Sequence, residues 1–178
     1  MMRSTIILTA ILIIEGIMHI AYAQEALEPR VNPLDMASLK YMDTYIKVTY
    51  GRPQKRGRVI FGELVPFGTV WCTGANETAE LTTTKDIKIK GRILKAGTYT
   101  LFTIPDTDKW TIIFNSDPGQ WGVYNYNFRK DVIRLEVPVT PTEEVYEPFT
   151  IEFELLDERA NMLMIWDRTK ISVPISFL

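Results

Sequence analysis

Between Tyr50 and Glu77, in the run YGRPQKRGRVIFGELVPFGTVWCTGANE, cations, glycines, aromatics and an amide crowd together more densely than a plain core strand requires. Arg52, Lys55, Arg56 and Arg58 place four cations within seven residues, beside Gly51, Pro53 and Gly57, which favour turns. The planar guanidinium forks of Arg52 and Arg58 could grip a carboxylate, a phosphate or a sugar hydroxyl through paired hydrogen bonds, whereas Lys55 and Arg56 are expected to face water. The competing reading is a solvated loop in which one arginine bonds backbone carbonyls. Further on, Thr73, Gly74, Ala75, Asn76 and Glu77 make a polar turn after an apolar strand that ends near Trp71. An asparagine donates and accepts and a glutamate accepts through two oxygens, which suits recognition of hydroxyls. Left-handed backbone at Gly74 and Asn76 would explain the same residues as scaffold.

Aromatic side chains supply a third component. Tyrosine and tryptophan combine a flat apolar face with a polar handle, the combination that lines amphipathic ligand sites. Trp110 alternates with Ile112 and Phe114 and reads as core, whereas Trp121, between Gln120 and Gly122, sits in a turn-like setting and is expected at a cleft; Tyr124 fits either place. The candidate ligand-binding residues are therefore Arg52, Arg58, Trp71, Thr73, Asn76, Glu77, Trp121 and Tyr124. Hydrolysis by paired carboxylates would need two acids at a set separation. Glu63, Glu77 and Glu80 are the acids near the candidate site, and Glu63 and Glu80 read as surface residues, which leaves Glu77 as the one weak catalytic candidate. Asp106 and Asp108 read as a solvated turn, and no calcium loop, other metal site or cofactor motif is expected.

What the chain lacks narrows the chemistry further. Arg3, an apolar run from Ile6 to Ile20 and Ala21-Tyr22-Ala23 follow the pattern of a secretory signal peptide, expected to be cleaved after Ala23. The sole histidine, His19, lies inside that segment, so residues 24–178 contain no imidazole and one cysteine, Cys72. Without histidine there is no Ser-His-Asp or Cys-His arrangement and no ordinary zinc site. One cysteine makes no intramolecular disulfide, and Cys72 reads as a small buried apolar group. The formal net charge of −2 offers no basic face for nucleic acid.

The elements that must position these residues are strands. Ile46, Val48 and Tyr50, Ile87 and Ile89, Trp110 to Phe114, Phe149 to Leu155, Met162 to Trp166 and Ile171 to Ile175 all alternate with polar residues at a period of two. Asp157 to Asn161 reads as a hairpin connection, and Arg58 to Leu64 has room for one helical turn. The spacing predicts an all-β domain over residues 41–178, a single antiparallel β-sandwich of about 8–10 strands in jelly-roll or Greek-key order. An irregular leader over residues 24–40 is expected to precede it.

The residues Gly51-Arg52-Pro53, then Gly57 to Pro66, and Trp71 with Thr73 to Glu77 resemble the signature of a family of secreted bacterial proteins, domain of unknown function 2911. Leu94 to Pro105, Trp110 to Asn115 and Gln120 to Tyr124 fit the same family. The resemblance implies a secreted, periplasmic protein of Bacteroidetes-like bacteria with no established activity. Cys72 stands where that family usually has arginine, which removes any cation from this position. Residues and resemblance together favour non-catalytic binding of a small polar ligand or glycan in a cleft made by the Arg52 loop, the Thr73–Glu77 turn and Trp121. Two alternatives stay open: a histidine-independent hydrolase using Glu77 with Arg52, and an envelope module whose tryptophans and tyrosines form a protein interface.

Overall fold

Alternation of apolar and polar residues becomes nine antiparallel strands in a computed structural model that describes residues 29–178. The expected signal peptide, residues 1–23, lies outside the described residues. The strands are β1 (Leu34–Tyr41), β2 (Thr44–Gly51), β3 (Glu80–Thr83), β4 (Ile87–Ile89), β5 (Arg92–Leu94), β6 (Gly97–Ile104), β7 (Lys109–Asn115), β8 (Asp131–Leu156) and β9 (Arg159–Phe177). They pair in the order β1-β2-β3-β6-β7-β8-β9-β4-β5. The β4–β5 hairpin thus leaves the chain between neighbours β3 and β6 and joins the far edge, against the end of β9.

The all-β antiparallel class and the strand count follow the expectation, but the strands pair as one continuous sheet and not as two separate ones. The reason lies in β8. Its first part, Asp131–Pro138, pairs with β7, and from Val139 onward it pairs with β9, with register shifts between Pro141, Tyr146 and Thr150 where the strand bends. The sheet curls far enough for distant strands to meet: the Ile151 N–H donates to Tyr50 Oη across 3.0 Å, and the rings of Tyr50 and Phe149 meet edge to face at 5.6 Å.

Two boundaries differ from those predicted. Leu34–Lys40, expected to be irregular, belong to edge strand β1; Ala37 and Leu39 pack inward, but Leu34 and Met36 on the exposed face blur the alternation. Met162–Trp166 and Ile171–Ile175 are halves of one strand, β9, interrupted at Asp167 by a left-handed φ of 54°. Arg58–Leu64 forms tight turns instead of a helical turn, closed by Val65 N–H to Ile60 O at 2.8 Å and Gly62 N–H to Val65 O at 2.9 Å. No helix among the described residues is long and apolar enough to cross a membrane.

The concave face buries Ile46, Val48, Leu81, Leu101, Ile112 and Phe114, together with Phe149, Ile151, Met162 and Val173 from the long strands. Trp110 belongs to this core, as its alternation predicts. Phe102 and Ile113, which point to the opposite face, are also fully buried, because the segment 116–130 folds over them. Tyr126 meets Phe102 edge on at 4.8 Å and donates to Asp131 at 2.7 Å. Asn115, itself fully buried, donates to Asn127 O and Asp131 and accepts from the Asp117 N–H. This covering segment carries Gln120 and Trp121.

Tyr50 gives the fold a pH dependence. Burial holds its phenol neutral and pushes its pKa up to about 12, against an ordinary value of 10.0. A folded-state pKa raised above the unfolded one contributes stability that is complete below pH 10 and is lost as pH rises through 12. The protein is expected to lose about 2 kcal/mol between roughly pH 10 and pH 12 from this group. Urea unfolding of Tyr50→Phe checks it: the variant starts less stable, since the Ile151 N–H loses its acceptor, but its stability should fall less steeply over that interval. A slope equal to the parent's would rule the linkage out.

Candidate functional site

The Thr73–Glu77 turn is built on a backbone crossing. The Ala75 N–H donates to Gly51 O at 3.2 Å, and a Cβ on Gly51 would lie 1.9 Å from Ala75 O. Thr73 and Asn76 adopt left-handed φ values of 55° and 69°, so the chain reverses sharply on either side of the contact. Trp71 holds the entrance: its backbone exchanges hydrogen bonds with Thr103 on β6 at 2.7 and 3.0 Å, and its indole N–H donates to Gly74 O at 3.0 Å. The chain leaving the turn pairs with the covering segment. Glu77 and Trp121 form an antiparallel bridge, the Thr78 N–H donates to Gln120 O at 3.0 Å, and the Gly122 N–H donates to Asn76 O at 2.9 Å.

That pairing brings Gln120 and Trp121 to the convex side of β1–β3, where a cavity of about 300 Å³ opens. Glu77, Glu80, Gln120 and Trp121 line it, with Thr49 and Leu34 from the neighbouring strands. Trp121 is 55% exposed, so its ring remains available to a ligand. Glu80 accepts from the Gly119 N–H through Oε1, which pins the covering segment to β3. Gln120, 8% exposed, donates from Nε2 to Asp117 O at 2.8 Å, and its buried Oε1 has no partner among the described residues.

Of the eight residues predicted to form one site, this cavity unites Glu77 and Trp121. Arg52 is committed elsewhere: its guanidinium donates to Phe149 O and Thr150 Oγ1 at 3.3 and 3.0 Å and pairs with Asp35 at 3.3 Å. It ties β1 and the end of β2 to the middle of β8 and does not line the cavity that Glu77 lines. Lys55, expected in water, is 19% exposed and pairs with Asp167 at 2.7 Å. Arg58 donates to Lys55 O and Gln54 O and, with Trp71, borders a second cavity of about 270 Å³ beside Gly74 and Trp166. Thr73 is fully buried, 3.2 Å from Thr103 Oγ1. Asn76 serves the turn through its backbone, and Tyr124 is 85% exposed without lining the first cavity.

Cys72 behaves as the apolar filler expected. Burial pushes its thiol up to about 11, and Sγ lies 3.5 Å from Gly74 O. Glu80 and Gln120 are the site residues that the sequence does not single out. Glu80 stands in the Thr-rich strand ELTT and reads as surface; Gln120 is legible only as a polar neighbour of Trp121.

A family model described as a protein of unknown function (DUF2911) matches residues 32–175, nearly all of the described chain. No curated protein and no solved structure matches it.

Proposed function

The chain belongs to the family of proteins of unknown function DUF2911, and from that premise we propose that it is a secreted, non-catalytic binding domain that takes a small polar ligand or glycan in the cavity beneath Trp121. The observation that supports this reading best is the pairing of an exposed indole with oxygen-bearing side chains around one 300 Å³ opening. A pyranose presents an apolar face and a rim of hydroxyls, and the two are matched by an aromatic ring beside carboxylate, amide and hydroxyl groups. The hydrolase alternative, Glu77 acting with Arg52, loses support because the Arg52 guanidinium is spent on Phe149, Thr150 and Asp35. Secretion stays part of the proposal on the strength of the Arg3–Ala23 pattern.

Tryptophan fluorescence tests the site. Of the four tryptophans, Trp110 and Trp166 are buried and Trp71 is half-buried, so a ligand over Trp121 should change the emission of the exposed ring. Titration with a panel of neutral, acidic and amino oligosaccharides should give a saturable change that Trp121→Phe removes from the signal. Trp121→Ala should weaken binding by about tenfold, roughly 1.4 kcal/mol, with its unfolding temperature near the parent's. Ligands that bind with equal affinity to Trp121→Ala would place the site elsewhere.

A further inference from the structure

We propose that the seam where β8 and β9 part is a second binding site, which takes a phosphate monoester or inorganic phosphate between Lys90 and Arg92. The sequence builds one side of it locally. Lys90 and Gly91 both adopt positive φ, 47° and 83°, and make the two-residue turn of the β4–β5 hairpin, with Ile89 paired to Arg92 across it. The topology sets that turn against an uncovered strand edge. β8 pairs with β7 over Asp131–Pro138 and with β9 only from Val139 onward, while the end of β9, Ile175–Phe177, turns away to β4. Lys90 and Arg92 reach back across the gap: Lys90 Nζ donates to Glu136 O at 2.7 Å and Arg92 Nη1 to Arg134 O at 2.8 Å. A cavity of about 410 Å³ opens there, lined by Lys90, Arg92, Arg134, Leu135 and Glu136, and it shares no lining residue with the one beneath Trp121.

Charge selects the guest. Glu136 is the acidic residue of the wall, and Lys109 Nζ already holds both its oxygens, at 2.9 and 3.0 Å. Arg134 lies 3.5 Å from Asp131, whose two oxygens also accept from Asn115 and Tyr126. Lys90 and Arg92 have no carboxylate partner among the described residues; a main-chain carbonyl is the partner of each. The opening therefore keeps two uncompensated cations in a chain whose formal net charge is −2. An ammonium has three donors and a guanidinium five, so one bond each to a carbonyl fixes both heads and leaves N–H groups for a guest. The acceptors, Arg134 O and Glu136 O, are two residues apart on one strand, about 7 Å, and contacts of about 2.8 Å from either head let one tetrahedral oxyanion bridge them. A phosphate monoester carries nearly two negative charges at neutral pH and matches both cations, whereas a carboxylate leaves one unmatched.

The phosphate could stand free, on a sugar or on a lipid headgroup, and the probes separate these sources. Isothermal titration at about pH 8 and low salt, where a monoester is dianionic, compares inorganic phosphate, glucose 6-phosphate and acetate. Flotation with phosphatidylcholine vesicles, with and without phosphatidic acid, tests the lipid. The soluble phosphates are expected to bind saturably, about tenfold more tightly than acetate, and to weaken as salt is raised. Lys90→Gln combined with Arg92→Gln should lower phosphate affinity by about tenfold. Lys40→Gln combined with Lys47→Gln, an equal change of charge on the β1–β2 hairpin, should leave it unchanged. Phosphate should also shift the amide resonances of residues 90–92 and 134–136 in the parent protein, a readout that needs no variant to fold. Vesicle binding that requires phosphatidic acid and is lost in the Lys90 and Arg92 double variant, without a response to either soluble phosphate, would uphold the site and assign it to a lipid. Acetate binding as tight as phosphate, equal losses in the two double variants, or amide shifts confined to other residues would overturn the proposal. So would binding of no phosphate probe, soluble or lipid.

Discussion

Gly51→Ala is expected to destabilise the protein by about 3–5 kcal/mol, near the upper end of single-residue effects. The added Cβ would sit 1.9 Å from Ala75 O and 2.9 Å from its carbon. Those atoms are backbone, so neither side can yield by rotating a side chain. Relief requires separating the two chain segments, which breaks the Ala75 N–H to Gly51 O hydrogen bond and shifts Arg52, whose own N–H donates to Pro33 O at 2.8 Å. Gly57→Ala is the internal contrast. Gly57 has φ +70°, but nothing lies within 4 Å of the place its methyl group would take, so only the left-handed penalty applies, on the order of 1 kcal/mol. Thermal unfolding distinguishes the two: a fall of roughly 10 °C for Gly51→Ala against a few degrees for Gly57→Ala. Similar melting temperatures would show that the crossing at Gly51 is not close-packed.

The same crossing shows what a sequence discloses. That Gly51, Pro53 and Gly57 mark turns is visible locally, as is the core role of Trp110, whose neighbours at every second position are apolar. That Gly51 lies against Ala75 is not visible, because it depends on where β2 ends relative to a turn more than twenty residues away. Arg52 misleads for that reason. Its Gly-Arg-Pro setting is compatible with a ligand loop, but its partners, Phe149 O and Thr150, are 97 and 98 residues distant in sequence. β1 is hard to see because an edge strand with Leu34 and Met36 outward carries little alternation. The all-β class does not depend on such distant contacts, because a period of two in β2, β7 and β8 is set within each strand.

The cavity is legible in part on the same terms. Trp121 stands out by its glycine-flanked setting and Glu77 by its place in a polar turn. Their meeting depends on the pairing of Asn76–Thr78 with Gln120–Gly122, a contact that no local pattern announces. Glu80 enters because it follows that pairing by two residues and because its carboxylate anchors Gly119.

Trp71→Ala should cost about 3–5 kcal/mol, the range for removing a large aromatic from a packed site, although the sequence marks the ring as a candidate for ligand contact. Trp71 stacks on Trp166 at 5.9 Å and meets Phe149, Trp110 and Phe61 edge to face at 5.0, 6.0 and 6.3 Å. Removing it opens space among four other aromatic rings and deprives Gly74 O of the indole donor. The loss then travels along the chain, since Gly74 and Ala75 abut Gly51 and the next residues, Asn76 and Glu77, hold the Trp121 strand. Trp71→Phe retains much of the ring contact without the N–H and should cost less, about 1–3 kcal/mol. Urea unfolding of both variants, with binding of the oligosaccharide panel measured under conditions where each is folded, separates the two roles of Trp71. Large destabilisation with parent-like affinity in Trp71→Phe means the indole holds the turn that presents Glu77. Parent-like stability with lost affinity would return Trp71 to the ligand and move the binding site to the cavity it shares with Arg58.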